Sequence, residues 1–318
     1  MTLLLSFEAV ESGNLSYEEM ITVSANASGM GGSQVFLETG LSYSADELMK
    51  TVAVCSANDS CVALAERISG SEAAFVSRMN ERAKELGAEN TLFANCTGLP
   101  KEPQYSCAKD VAIMLREMLS HEKYYEYSKI WLEDFAHPDG RTTQITNTNK
   151  LIRTYSGCDG GKTGFTSEAG FCLAATAKRG EMRLIAVVIG ADSSASRFSG
   201  ISAMLDYCFN CYETQILLEA GKPIEEKAFV RGSKEKEIAV APEKHLKAFL
   251  RRGEKGEFSV TISINGDLKA PIGVGDAVGE AVLYSGGVEI GRCALVALES
   301  ATHMSWWDAF RETLHNWQ

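Results

Sequence analysis

Apolar residues recur at helical spacing through the first part of the chain. Residues 3–10, from Leu3 to Val10, read as the end of a buried helix that stops at Gly13. Ser44-Ala45-Asp46-Glu47 forms a capping box, with Ser44 as N-cap and Glu47 three positions on, and predicts a helix through Leu48 and Val52. A second helix follows Ser56-Ala57-Asn58, with Val62, Leu64 and Ala65 on its apolar side and Arg67 outward. Phe75, Met79 and Leu86 make one stripe of a third helix over 73–86, closed by Gly87. The period then changes. Apolar runs over 171–177 and 184–189, joined by Lys178-Arg179-Gly180-Glu181, predict a hairpin whose strands are buried on both faces. Helices packed on such a sheet give an α+β layer architecture.

Beyond Leu218 the texture changes again. Gly221-Lys222-Pro223 interrupts the pattern, and Phe258, Val260, Ile262 and Ile264 alternate with Ser259, Thr261 and Ser263, as in a half-buried strand. Val282-Leu283-Tyr284 and Val288-Glu289-Ile290, around Ser285-Gly286-Gly287, predict a second hairpin. The expected organisation is a first domain over 1–219, a small β-domain over 220–300 and an amphipathic helix over 301–318. Trp306, Phe310, Leu314 and Trp317 share one face of that last helix. An aromatic face of this kind suits contact with a membrane surface, and docking on the β-domain is the alternative.

Composition narrows the function classes. A net charge of -11 over 318 residues argues against nucleic acid, whose phosphates call for a basic face. No run approaches the ~18 apolar residues of a membrane-spanning helix, and the opening Met1-Thr2-Leu3-Leu4-Leu5 lacks the basic start and the length of a signal peptide. Nine cysteines follow no disulfide spacing, and the Cys208/Cys211 pair has no second pair or nearby histidine to complete a zinc site. No metal or cofactor is expected.

Chemistry concentrates in two short strings, Ser56-Ala57-Asn58 and Lys162-Thr163-Gly164, the latter within Asp159-Gly160-Gly161-Lys162-Thr163-Gly164-Phe165-Thr166. Ser-x-Asn alone carries little weight, since Ser12, Ser24 and Ser263 also begin one. Order and context carry more. Val23-Ser24-Ala25-Asn26, Met30-Gly31-Gly32-Ser33-Gln34, Cys55-Ser56-Ala57-Asn58-Asp59, Phe93-Ala94-Asn95-Cys96-Thr97-Gly98-Leu99-Pro100 and Asn147-Thr148-Asn149-Lys150-Leu151 precede the Lys-Thr-Gly string in that sequence. Together they resemble the low-molecular-mass penicillin-binding proteins, the serine-type D-alanyl-D-alanine carboxypeptidases. Ala270-Pro271-Ile272 and Val274-Gly275-Asp276-Ala277-Val278-Gly279 resemble that family's accessory β-domain.

The resemblance implies a β-lactamase/transpeptidase-like domain, an antiparallel sheet flanked by helices, followed by a small all-β domain. It implies removal of the terminal D-Ala from peptidoglycan stem peptides through an acyl-enzyme, with β-lactams as inhibitors and an extracytoplasmic place in the bacterial cell envelope. Lys162 would supply electrostatic stabilisation and bind the substrate carboxylate. Ser56 would relay protons, and Asn58 would hydrogen-bond the substrate amide. Thr163 and Gly164 would flank the cleft, and the Phe165 N–H would donate to an oxyanion hole. Arg197 matches a family arginine that receives the terminal carboxylate, a role suited to a guanidinium fork.

The family's nucleophile motif, Ser-x-x-Lys, is expected some tens of residues ahead of Ser56. The chain has Ser106/Lys109, Ser120/Lys123 and Ser233/Lys236 at that spacing, and all three lie after Ser56. The resemblance therefore implies that the nucleophile, the first strands of the sheet and a secretory signal precede Met1, and that these 318 residues alone are inactive. The competing readings are a non-catalytic binder of wall peptide or β-lactam, built on Asn58, Lys162 and Arg197, and a β-lactamase, which would need a deacylating glutamate.

Overall fold

The computed structural model describes residues 1–305 and divides into two units, 1–208 and 209–318. Trp306, Phe310, Leu314 and Trp317, and with them the expected terminal helix, lie outside the described residues.

The first unit opens with α1 (Thr2–Glu11), β1 (Met20–Thr22), α2 (Ala25–Ser28) and β2 (Ser42–Ser44), the two short strands pairing antiparallel. Next comes α3 (Ala45–Cys55), whose Ser44 accepts from Glu47 N while the Glu47 carboxylate accepts from Ser44 N, the expected capping box. The central helix is α4 (Asn58–Ser69), whose first eight residues are all buried. The hydroxyl of Thr51 bonds Ser60 at 2.7 Å, tying α3 to α4 inside the core. Fully buried Leu48, Met49 and Leu64 each add about 1.5–3 kcal/mol of burial to this contact. Then follow α5 (Glu72–Glu85), α6 (Ala108–Met118) and α7 (Glu122–Ser128). Phe75 and Met79 of α5 face the core as their spacing predicts. Arg67, expected to face outward, is instead partly buried in an ion pair with Glu19.

A hairpin of β3 (Leu132–Ala136) and β4 (Thr142–Thr146) and the single turn α8 (Leu151–Thr154) lead to the main sheet. That sheet is antiparallel, in the order β5 (Cys158–Thr166), β6 (Gly170–Arg179), β7 (Met182–Ala191). The expected hairpin is β6–β7. Only β6 is deeply buried; β7 is half-covered, with Ile189 exposed, because it forms the sheet's other edge among the described residues. The final helix of the unit, α9 (Ser194–Cys211), runs across the division into the second.

From Tyr212 onward the second unit is all-β in its described part. Strands β8 (Tyr212–Leu218) and β11 (Leu246–Arg251) pair with each other, and β12 (Phe258–Ile264), β13 (Ala277–Ser285), β14 (Val288–Ala297), β10 (Glu237–Pro242) and β9 (Lys227–Phe229) form a five-stranded antiparallel sheet in that order. The alternation expected for 258–264 is present, and Gly286 and Gly287, both with positive φ, make the two-residue turn between β13 and β14. No described helix is long and apolar enough to cross a membrane.

Candidate active site

Ser56 caps the C-terminus of α3 in the left-handed region, at φ 63° and ψ 39°. A residue with a Cβ costs on the order of 1–2 kcal/mol there, so the fold holds Ser56 in place against a local preference. Its hydroxyl hydrogen-bonds the Lys162 ammonium, which comes from the middle of β5. The same Nζ reaches the carbonyl of Thr163 at 3.3 Å and Thr148 Oγ1 at 3.5 Å. Two of the expected residues, 106 positions apart in the chain, thus meet in one contact.

Burial is the main cause that lowers the Lys162 amine to about 8, and the nearby Arg197 guanidinium acts in the same direction. The thiols of Cys61 and Cys55 oppose the shift as anions, but burial pushes them up to about 12 and about 11. Both are neutral where Lys162 titrates, so near neutral pH they offer the ammonium no counter-charge. Among the described residues no carboxylate contacts it. This is an amine short of an anionic partner.

Asn58 opens α4, beyond an N-cap, Ala57, that has no side-chain hydrogen bond. Its backbone N–H donates to Ser33 O at 2.7 Å, and its side-chain NH2 donates to Gly31 O at 2.8 Å. Part of its amide therefore fastens the 31–37 loop. Asp59 completes that fastening and had no role in the sequence reading. Its buried carboxylate accepts from the N–H groups of Val35, Leu37 and Ser60. Burial raises its pKa, and the three donors oppose the rise.

Thr163, Gly164 and Phe165 follow Lys162 on β5, opposite Leu173, Cys172 and Phe171 of β6. Phe165 is exposed, with its ring 4.4 Å from that of Phe171. Arg197, near the start of α9, donates from Nη1 to Gly164 O at 3.0 Å and to Cys172 O at 3.3 Å, and lies over the rings of Phe171 and Phe198. Its Nε is buried with no hydrogen-bond partner among the described residues. So Arg197 braces the Lys-Thr-Gly strand as well as placing charge beside it.

The three Ser-x-x-Lys segments have other engagements. Ser106 and Lys109 are exposed, and Ser106 bonds Thr91 at 2.9 Å. Ser120 donates to Glu117 O while Lys123 pairs with Glu126, and Ser233, in the second unit, donates to Glu235 O. Among the described residues no three histidine, cysteine or acidic side chains group to hold a metal.

The site's support was missed by sequence reasoning. Thr148, Tyr124, Ser128, Asn149 and Asp59 surround the expected residues but belong to no chemical motif. Two signals are available in the sequence: Asp59 stands in the Cys55-Ser56-Ala57-Asn58-Asp59 string, and Thr148 and Asn149 in the Asn147-Thr148-Asn149 string, and the resemblance gives none of the three a task.

The profile described as D-alanyl-D-alanine carboxypeptidase matches residues 1–193, and that described as penicillin-binding protein 5, C-terminal domain, matches residues 212–302. The D-alanyl-D-alanine carboxypeptidase DacF of Bacillus subtilis (strain 168) is 37% identical over 318 residues, covering 100% of this chain and 82% of that protein. The D-alanyl-D-alanine carboxypeptidase DacD of Escherichia coli (strain K12) is 32% identical over 315 residues, covering 97% and 80%. Among solved structures, penicillin binding protein 5 from Haemophilus influenzae superposes with a TM-score of 0.69 at 29% identity, covering 95% of this chain and 89% of that one. A peptidoglycan synthesis regulatory factor from Streptococcus pneumoniae gives 0.78 at 26% identity, covering 94% and 90%.

Proposed function

The chain belongs to the D-alanyl-D-alanine carboxypeptidase family, and from that premise we propose that its Ser56–Lys162 site receives peptidoglycan stem peptides ending in D-Ala-D-Ala. The observation that carries this reading is the partly buried Lys162 ammonium, bonded to Ser56 and without a carboxylate partner among the described residues. A peptide's terminal carboxylate is the missing counter-charge. Bound there it would favour the protonated amine, and Arg197, three residues into α9, adds a second cation for the same anion.

The remaining roles follow from position. Ser56, bonded to Lys162, is the proton relay between that amine and the leaving D-Ala nitrogen. Asn58 has a side-chain oxygen left to accept from the substrate's amide N–H while its NH2 stays on Gly31. Thr163 and Gly164 form the strand edge along which the peptide lies, and the Phe165 N–H is the oxyanion donor. β-Lactams, which carry a carboxylate beside a reactive carbonyl, compete for the same place. A site acting on wall peptide works outside the cytoplasm.

These 318 residues hold no Ser-x-x-Lys ahead of Ser56, and the three later segments of that spacing are engaged elsewhere. We therefore assign to them binding of the peptide; the proton relay to the leaving nitrogen and the oxyanion contact operate only when a serine nucleophile attacks the D-Ala-D-Ala carbonyl. The second reading, a binder of wall peptide or β-lactam that performs no turnover, is favoured by the same observation. Labelled penicillin incubated with this chain should bind reversibly and leave no covalent adduct, because acylation needs a nucleophile. A stable adduct on Ser106 or Ser56 would overturn the assignment.

A further inference from the structure

The Ser56–Lys162 contact joins two elements with no covalent reason to be in register, the end of α3 and the middle of β5. One edge of β5 pairs with β6 along its length. Its other edge, at residues 159–161, meets side chains instead of a strand. The Ser128 hydroxyl donates to Asp159 O at 2.6 Å, Asn149 Nδ2 donates to Gly160 O at 3.2 Å, and the Tyr124 hydroxyl accepts from Gly161 N at 2.8 Å. All three bonds fall within three residues of Lys162.

We propose that Tyr124 is a positioning residue of the site, its phenol clamping β5 so that Lys162 meets Ser56, with Ser128 and Asn149 completing the clamp. The same elements that hold β5 also hold α3. Tyr127, one turn along α7 from Tyr124, donates its hydroxyl to Asp46 in the first turn of α3 at 2.6 Å. Thr148, which touches Lys162, donates its backbone N–H to Val54 O, two residues before Ser56. Asn147 ties this loop to α7 through Ser128 O at 3.0 Å. Both partners of the contact thus hang on one frame made of α7 and residues 147–149.

The sequence of β5 fits a phenol lying against it. A Cβ at Gly160 would stand 3.0 Å from Tyr124 Cε1 and 3.1 Å from its oxygen, tighter than side chains normally pack. Gly161, at φ +131°, would drive a Cβ to 2.3 Å from Ala174 O on the other side. The Gly160-Gly161 pair leaves room for Tyr124 on one edge and β6 on the other, one residue before the lysine. Tyr124 is itself buried, and burial keeps its hydroxyl protonated. It bonds the backbone of Gly161 and does not contact the amine.

This inference rests on the reading of Lys162 as the working amine, but its test needs no substrate. The readout is the titration of Lys162 in the ¹³C-lysine-labelled chain, its resonance identified by loss in Lys162→Arg. The charged and titrating groups around the amine are Cys55 at the end of α3, Cys61 on α4 and Arg197 on α9, and none of them is changed. Loosening the clamp admits water to the ammonium and moves its midpoint from about 8 toward the ordinary 10.5. Tyr124→Phe should raise it by roughly one pH unit or more, and Ser128→Ala by less. Tyr43→Phe removes another buried phenol, bonded to His137 at 2.9 Å, and should leave the midpoint unchanged. If Tyr124→Phe does not fold, Ser128→Ala decides. An unchanged midpoint in the folded variants, or an equal shift in Tyr43→Phe, overturns the positioning role and leaves the carboxylate reading standing. A shifted midpoint in a protein that binds no D-Ala-D-Ala peptide would do the reverse.

Discussion

Ser106 and Lys109 stand three positions apart just ahead of and within α6, whereas Ser56 and Lys162 are 106 positions apart and meet in one hydrogen bond. The first pair has the spacing that a nucleophile motif requires, yet both residues are exposed, and Ser106 bonds Thr91. Solvent screens the charge of such a lysine from its neighbours. The second pair has no sequence spacing to recommend it. What it has is a serine held in the left-handed region, an amine lowered to about 8 by burial, and backbone frames fastened around both. Reactivity here follows the environment the fold builds, not the interval between residue types.

The largest expected effect separates the two lysines outright. Lys162→Ala should weaken binding of an N-acyl-D-Ala-D-Ala peptide by about 10²-fold, the scale of one preorganised electrostatic group, while Lys109→Ala should leave affinity unchanged. Isothermal titration of both variants makes the comparison. Equal affinities for Lys162→Ala and the unaltered chain would return Lys162 to the standing of Lys109.

Arg197 sharpens the same contrast at smaller size. Because its Nη1 is already committed to Gly164 O and Cys172 O, Arg197→Ala should cost on the order of 10-fold, the lower end for a charge-assisted hydrogen bond. A carboxylate receptor affects the free acid and spares the peptide amide. Comparing the two ligands in the variant tests that, and equal losses would assign Arg197 to bracing β5 alone.

A third expectation concerns stability. The Lys162 amine titrates at about 8 in the folded chain against an ordinary 10.5, so the folded state binds fewer protons than the unfolded state between those values. Its burial penalty is fully present below pH ~8 and is relieved as pH rises toward 10.5. Lys162→Met removes the ammonium, so it should stabilise the chain by about 1 kcal/mol near neutral pH, with the advantage fading above pH ~8. Urea unfolding of both proteins across that range checks the sign. Lys109→Met, at an exposed position, should show no such trend.

The two halves of the molecule differed in how much their sequence disclosed. In the β-domain, alternation discloses Phe258 to Ile264, since one buried face per strand imposes a period of two, and the Gly286-Gly287 turn discloses the hairpin after it, while β9, β10 and β11 went unread. The helices of the first unit were legible through stripes and caps, Ser44 and Glu47 most directly. The short strands Met20–Thr22 and Ser42–Ser44, and β8 at Tyr212–Leu218, went unread because each takes its stability from a partner far along the chain. Within the site, motif residues were recoverable because their chemistry constrains their type. The frame was not. Tyr124, Ser128 and Asp59 act through hydrogen bonds to backbone atoms, which carry no side-chain identity for a pattern to match. The engagement of Arg197 with Gly164 O was hidden for the same reason.

Proton linkage shows whether the partly buried Lys162 amine takes up a carboxylate. Calorimetry of N-acyl-D-Ala-D-Ala binding at about pH 8.5, in buffers of differing ionisation enthalpy, reports the protons exchanged. A carboxylate seated on Lys162 raises that amine's pKa, so binding should take up a fraction of a proton, and affinity should fall as pH rises through about 8. Binding with no proton uptake and with affinity flat across that range would contradict the account.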